Sequence, residues 1–91
     1  MKIKFGCSSF DHDGVKNTSV HVYVWDGDKC LAAVQVPQMV TDESKTFAVA
    51  MDAITIACGI KVLMKALGHD MPDDKMSFID INRDIRKEFL G

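Results

Sequence analysis

The sequence predicts an α/β domain of the α+β type, with a mixed four-stranded sheet, one long helix packed on it and a short C-terminal helix. Three observations lead to this prediction. Apolar and polar residues alternate in three segments near the N-terminus, a single long helical segment follows, and a short apolar segment precedes a second helical pattern. We therefore expect the element order β-β-β-α-β-α, in a single domain formed by residues 1–91.

The first strand is predicted at residues 2–10. Its alternation places Ile3, Phe5 and Cys7 on one face. The Asp-His-Asp-Gly run that follows is typical of a turn, and we expect a loop over residues 11–17.

The second strand has two different faces. One face carries Val20, Val22 and Val24, and the other carries His21, Tyr23 and Trp25. The Asp26-Gly27 pair that follows predicts a hairpin turn. The third strand then occupies residues 29–36 and ends at Pro37, which cannot donate a backbone hydrogen bond to a sheet.

The register of this hairpin decides which residues lie beside the aromatic face. A two-residue turn at Asp26-Gly27 places Cys30, Ala32 and Val34 there, and this is the register we favour. A three-residue turn with a bulge places Leu31, Ala33 and Gln35 there instead. In either register, the aromatic face is too apolar to be left fully in water without a reason.

A long helix is predicted at residues 41–67. Thr41 is suited to be its N-cap, and Asp42 and Glu43 place negative charge at the positive end of the helix dipole. Gly68 suits the left-handed position after a helix C-terminus. At about 1.5 Å per residue the helix is roughly 39 Å long, which is long for a chain of this size.

This helix has more apolar surface than one sheet can cover. Its non-hydrophobic strip is narrow and consists of Lys45, Ala48, Asp52, Thr55 and Gly59. A helix that packs only on a sheet needs an apolar stripe of roughly 100°. We therefore expect the remaining apolar surface to contact the C-terminal segment, a second subunit or a partner protein.

The C-terminal segment predicts one more strand and one more helix. Residues 76–81 read as a short strand, parallel to the first strand and beside it. Asn82 is suited to cap a final helix at residues 83–90.

The predicted order of elements resembles the beginning of the ribonuclease H family over most of the chain. The resemblance implies a cluster of carboxylates that binds divalent metal. The family's first-strand aspartate and helix glutamate fall on residues without a carboxylate: Cys7 or Ser8, and Phe47 or Ala48. Glu43 and Asp52 lie one turn too early and one turn too late, and Asp80 alone has a suitable position. Because a metal pair needs several oxygen ligands, we expect a protein of this fold to be inactive.

Composition narrows the choice of function. The net charge of −2 argues against a protein that mainly neutralises phosphate. The three cysteines form no Cys-x-x-Cys pair and predict reduced thiols rather than a zinc site. The apolar run at residues 53–60 is too short to span a bilayer, and no signal peptide is visible, so we expect no membrane contact and a cytoplasmic location.

Two acidic segments are candidates for cation binding. They are Asp11, His12 and Asp13, and the cluster of His69, Asp70, Asp73 and Asp74. The first lacks the later acidic ligands of a calcium loop, and solvated turns explain both segments. We therefore predict no metal and no cofactor.

The candidate binding site is the aromatic strand face. It comprises His21, Tyr23 and Trp25, with Lys2 and Lys4 on the neighbouring strand. Such a surface suits the stacking of single-stranded nucleic acid, although we expect the C-terminal helix or a partner subunit to cover it.

The function predicted from these observations is non-enzymatic protein–protein interaction. The excess of apolar surface favours a small inhibitor or adaptor, and the partners we expect are another protein and a second copy of the chain. A nucleic-acid-binding module is the alternative, and a metal-dependent nuclease is the third hypothesis.

Overall fold

Three strands and two helices make up the fold, in a computed structural model that describes residues 1–72 and 77–91. The elements are β1 (Lys2–His12), β2 (Val15–Asp26), β3 (Lys29–Gln35), α1 (Thr46–Ala66) and α2 (Phe78–Leu90). The sheet is antiparallel with the order β1-β2-β3. The α+β class and the long helix on the sheet are confirmed. The mixed four-stranded sheet and the predicted element order are wrong for the described residues.

The first two strands form a tight hairpin. Their pairing continues to His12 and Val15, so the turn consists of Asp13 and Gly14 alone. Both turn residues have positive φ, +52° and +78°, which is the geometry of a type I′ turn and is easiest for glycine. The loop predicted over residues 11–17 is therefore wrong. The extended part of the hairpin is held by cross-strand hydroxyl contacts, including one of 2.8 Å between Ser9 and Thr18.

The second hairpin contains a bulge that sets its register. Asp26 pairs with Lys29, so the turn consists of the two residues between them, and the pairing then shifts beyond Trp25. Tyr23 consequently faces Ala33. The favoured register is observed only at Trp25, which pairs with Cys30; beyond the bulge it is wrong, and Ala33 and Gln35 lie opposite Tyr23 and His21, as in the alternative arrangement. The hairpin has both a two-residue turn and a bulge, and the bulge moves the residues of β3 that follow it to the opposite faces of the sheet.

The long helix starts later than predicted. Asp42, rather than Thr41, accepts the backbone N–H of Ser44 at 2.9 Å. It caps a 3-10 turn at Glu43–Lys45 that leads directly into α1. Such short 3-10 turns are common at the start of α-helices because they satisfy backbone groups that the first turn leaves free.

The end of the long helix agrees with the prediction. Gly68 has φ +89°, and its N–H donates to the carbonyl oxygen of Lys65 at 3.0 Å. The N–H of His69 donates to the carbonyl oxygen of Met64, also at 3.0 Å. These two hydrogen bonds define a Schellman motif, which requires a residue with positive φ at the position of the glycine.

The segment predicted as a fourth strand forms the beginning of α2. Ser77 caps this helix, and its hydroxyl oxygen accepts the N–H of Asp80 at 3.4 Å. Asn82, the predicted cap, lies inside the helix, and Met76 lies outside the described residues. Four apolar residues, drawn from both predicted elements, share one helical stripe with spacings of three and four residues: Phe78, Ile81, Ile85 and Phe89.

Both helices pack on the valine face of the sheet. The core contains Val20 and Val22 of β2 together with Ile81 and Ile85 of α2. α1 contributes mainly small residues, Val49, Ala50, Ala53 and Ala57, which allow its backbone to lie close to the sheet. Phe47 ties α1 to α2, because its ring centroid lies 4.8 Å from that of Phe78 in an edge-to-face contact.

Candidate functional site

The sheet face opposite the helices carries the predicted aromatic site. His21, Tyr23 and Trp25 alternate with the buried valines of β2, so they lie on the side of the sheet away from the core. Among the described elements, both helices pack on the other side, and the expectation that the C-terminal helix covers the aromatic rings is wrong. The three rings are half-buried because they and the neighbouring strands cover one another.

The strand register brings all five predicted site residues together. Lys2 lies opposite Trp25, and Lys4 lies opposite Tyr23. The Lys4 ammonium group is 5.1 Å from the centroid of the Trp25 ring, a cation–π contact. His21 and Tyr23 stack with their ring centroids 5.8 Å apart and an interplanar angle of 21°. We call this surface the aromatic face.

A glycine on β1 shapes the aromatic face. A Cβ atom on Gly6 would lie 2.8 Å from Cε2 of Tyr23, which is closer than van der Waals contact allows. The absence of a side chain at Gly6 therefore lets the Tyr23 ring lie against β1. The face offers two ammonium groups and flat aromatic rings, which suit a phosphate backbone and stacked bases respectively.

A second candidate surface is the outer part of α1. Val62 is 70% exposed and Leu63 is 59% exposed. The fully buried residues of α1 end at Ala57, so the C-terminal third of the helix is only partly covered. Apolar side chains of this size are exposed in groups mainly where a partner binds.

The exposed residues of α1 form one continuous arc of the helix surface, with Phe47 at one border and Leu63 at the other. Successive residues are rotated by about 100°, so the exposed Leu63 and Leu67, the latter at the C-cap, and the partly buried Ile56 lie within roughly 20° of the direction opposite Phe47. Because Phe47 contacts α2, these three residues form the flank that faces away from α2. We call this flank the outer flank of α1.

Strand β3 is exposed on both of its faces. Every residue of Lys29–Gln35 is exposed, including Leu31 and Val34. Within the described residues β3 pairs with β2 alone, so its other edge presents unpaired backbone groups. Lys29 is the one charged residue in this strand, and it stands at the end. An apolar edge strand without charged residues along its length readily pairs with another strand.

The segment Glu43–Ala66 is long and apolar enough, by length and composition, to cross a membrane. The core helix of a soluble domain passes the same test when most of it is buried. Here 22% of the apolar window is buried, so the sheet and α2 leave much of it at least partly exposed.

The carboxylates compared with the ribonuclease H pattern, Glu43, Asp52 and Asp80, do not form a metal site among the described residues. Asp80 lies in the first turn of α2, with a carboxylate oxygen 3.2 Å from a guanidinium nitrogen of Arg83. Glu43 forms an ion pair with Arg86. In the part of the chain that the structure describes, no group of three or more His, Cys, Asp or Glu residues is placed to hold a metal ion. Asp73 and Asp74 of the second acidic cluster lie outside that part.

Of the three thiols, Cys7 has the unusual environment. Burial, followed by the negative charges of Glu88 and Asp84, raises the pKa of the Cys7 thiol. Cys30 and Cys58 are exposed. Cys7 is therefore the least reactive of the three as a nucleophile near neutral pH, because the thiolate is the reactive form.

Sequence reasoning did not find the groove between β1 and α2. Its lining includes Phe5 and Cys7 on the strand side and Asp80 and Asp84 on the helix side. The sequence signal was the i, i+4 spacing of the two aspartates, which places them on one side of a helix. The predicted strand at residues 76–81 hides this signal, because it places Asp80 and Asp84 on two different elements.

A scan against protein-family models, a search of curated proteins and a search of solved structures each found no match for this chain. Functional proposals therefore rest on the aromatic face, the outer flank of α1, the exposed strand β3 and the groove between β1 and α2.

Proposed function

We propose that the protein is a non-enzymatic interaction module of the inhibitor or adaptor type, which forms a homodimer through α1 and β3. The observation that carries this proposal is the small buried share of the apolar α1 window, 22%. Water solvates such a surface poorly, and contact with protein removes it from water. The exposed apolar edge strand β3 supplies a second surface of the same kind.

The energy available from the outer flank is large enough to matter. Full burial of a leucine or valine side chain contributes about 1.5–3 kcal/mol. Leu63 and Leu67 are 59% and 65% exposed, so covering both contributes roughly 2–4 kcal/mol per copy. A symmetric dimer gains this twice, about 4–8 kcal/mol, which is comparable to the lower part of the association cost of about 4–15 kcal/mol. Contacts of β3 would have to supply the remainder.

Strand β3 favours a two-fold arrangement. Antiparallel pairing of two β3 strands would extend the sheet from three to six strands and satisfy the free backbone edge. Lys29 of each copy would lie at opposite ends of this pairing, so its charge would not be placed against itself. The outer flank of α1 faces away from α2. In the sheet, β3 lies at the edge opposite β1, the strand that borders α2. Both surfaces are therefore on the side away from α2, and one interface can include them.

The test is the solution mass of the wild type and of two matched variants. Leu63→Gln removes an apolar side chain from the outer flank in both copies. Burial of the exposed part of Leu63 contributes about 1–2 kcal/mol per copy, so the dimer should weaken by roughly 2–4 kcal/mol, or about 30- to 1,000-fold in dissociation constant. Thr55→Gln, on the exposed polar strip of the same helix, should leave the dimer unchanged.

Analytical ultracentrifugation over a range of concentrations measures this difference, and far-UV circular dichroism confirms that each variant is folded. A wild-type protein that stays monomeric at high concentration would remove the self-association part of the proposal. Equal weakening by both variants would place the contact elsewhere on the surface.

Binding of single-stranded nucleic acid by the aromatic face is the second candidate function. The observation that favours it is the pairing of Lys2 and Lys4 with Trp25 and Tyr23 on a face that neither helix covers. Titration with a single-stranded oligonucleotide should quench the emission of Trp25, more weakly at high salt. Tyr23→Ala should reduce the affinity by stacking energy, about 1–3 kcal/mol. Emission that is indifferent to the oligonucleotide would exclude this use of the face.

A further inference from the structure

The groove between β1 and α2 lies at the other edge of the sheet from β3. Within the described residues β1 pairs with β2 alone, so its outer edge is unpaired along the strand. The groove has a volume of about 440 Å³, within the range of small binding sites. Phe5 and Cys7, both partly buried, form part of its sheet side, and the buried Ile81 and Ile85 lie at its helix side.

The helix wall of the groove carries two carboxylates, and the basic residues near them are Arg83 on the same helix and Lys4 on the strand side. Ser77, Asp80 and Asp84 all line it, with spacings of three and four residues that place them on one side of α2. Arg83 contacts both aspartates, at 3.2 Å and 3.5 Å, and all three side chains are more than half exposed. Burial is the main cause of the raised pKa of Cys7, and the negative charges of Glu88 and then Asp84 add to it, so two carboxylates of α2 act on this part of the groove.

The spacing of the two aspartates matches that of an added strand. Residues four apart on a helix are separated by about 6 Å along its axis. Alternate residues of a β-strand are separated by about 6.6–6.8 Å and point to the same face. Two basic residues at positions i and i+2 of an extended peptide that runs along α2 can therefore reach Asp80 and Asp84 together.

We propose that this groove binds an extended basic peptide, which adds as a strand to the free edge of β1. Every second residue of the peptide is lysine or arginine. The aliphatic stems of these side chains lie on Phe5 and Cys7, and their charged ends pair with Asp80 and Asp84. The backbone of the peptide pairs with β1, which gives affinity independent of the side chains at the other positions. This site is separate from α1 and β3 and stays open in the proposed dimer.

The probe is a fluorescein-labelled heptapeptide of alternating threonine and arginine, with binding measured by fluorescence anisotropy at low and high salt. The double variant Asp80→Asn/Asp84→Asn keeps side-chain size and removes both charges, and should bind at least tenfold more weakly. Asp52→Asn, an equal change on the exposed side of α1, should bind as the wild type does. Equal binding by the double variant and the wild type overturns the proposal.

A second probe tests strand addition. In this peptide, prolines replace two of the threonines, which removes backbone N–H groups and leaves the charge unchanged. It should bind at least tenfold more weakly than the parent peptide. Equal affinity of the two peptides would show electrostatic capture without a paired strand, and the proposal would fail.

Cys7 reports where the peptide binds. In a Cys30→Ser/Cys58→Ser variant, Cys7 is the remaining thiol, and its reaction with a disulfide reagent can be followed by absorbance. Saturating peptide should slow this reaction several-fold because the peptide covers the groove. A reaction rate that is unchanged by bound peptide would place the binding elsewhere, for instance at β3, and would refute the proposal. Repeating the titration with Leu63→Gln separates this result from the state of the dimer.

Discussion

A pair of isoleucine substitutions tests whether the chain from residue 78 onward is helical. In a strand, Ile79 and Ile81 would point to the same face, because side chains alternate with a period of two. In α2 they point in different directions: Ile81 is 7% exposed and Ile79 is 73% exposed. The same substitution at both positions, Ile79→Ala and Ile81→Ala, therefore separates the two structures without changing the chemistry.

The expected magnitudes follow from burial. Replacing isoleucine by alanine removes three carbon atoms, at about 0.8 kcal/mol each when buried. At Ile81 the loss of free energy of unfolding is therefore about 2.4 kcal/mol, with a small additional cavity term because the open groove borders this residue. At Ile79 about a quarter of this amount is lost, roughly 0.6 kcal/mol, and the better helix propensity of alanine offsets a few tenths.

The assay is equilibrium unfolding in urea, followed by circular dichroism and by the fluorescence of Trp25. With a slope of about 1 kcal/mol per molar urea for a small domain, Ile81→Ala should lower the midpoint by about 2 M and Ile79→Ala by less than about 0.5 M. All proteins are compared at one concentration, because dimerisation would change the apparent stability. Equal losses at the two positions would refute the helical assignment of α2.

Three further predictions concern single groups. Cys7 should react with a disulfide reagent more slowly at pH 7–8 than the two exposed cysteines, because burial and the charges of Glu88 and Asp84 raise the pKa of its thiol; equal rates would contradict this prediction. The hydrogen bond from the Ser44 side chain lowers the pKa of Asp42, so this contribution to stability is present above the unfolded-state pKa and lost as the pH falls through the folded-state pKa. Ser44→Ala should raise the titration midpoint of the Asp42 carboxyl group, measured by NMR, and an unchanged midpoint would refute the assignment. Gly6→Ala should destabilise the wild type by about 1 kcal/mol because it displaces the Tyr23 ring, but should be neutral or stabilising in a Tyr23→Ala background; the same loss in both backgrounds would contradict the contact.

Local pattern predicted the parts of the site that depend on neighbours in sequence. The alternation in β2 assigned Val22 to the core face and Tyr23 to the opposite face, because side chains of a strand alternate whatever the strand packs against. Gly68 marked the end of the long helix, since a left-handed position favours glycine in any fold. Lys4 lies opposite Tyr23 on the aromatic face, as expected when its strand is the neighbour of β2.

Sequence alone cannot assign a short segment whose apolar residues fit both the period of a strand and the period of a helix. In residues 78–81 the apolar residues fit both a strand and a helix, and Ser77 as a cap decides for the helix. The register of β3 depended on a bulge near Trp25, which one strand alone does not encode.

The sequence by itself determined the three N-terminal strands, the long helix with its excess of apolar surface and the residues of the aromatic face. Each of these follows from periodicity or from a local backbone preference. The tertiary structure decided which face of the sheet is covered, that α2 lies over β1 rather than joining the sheet, and that a groove lined by Asp80 and Asp84 results. These outcomes depend on contacts between residues far apart in the chain, such as that of Phe47 with Phe78, and the free energy of such packing is not visible in any local pattern.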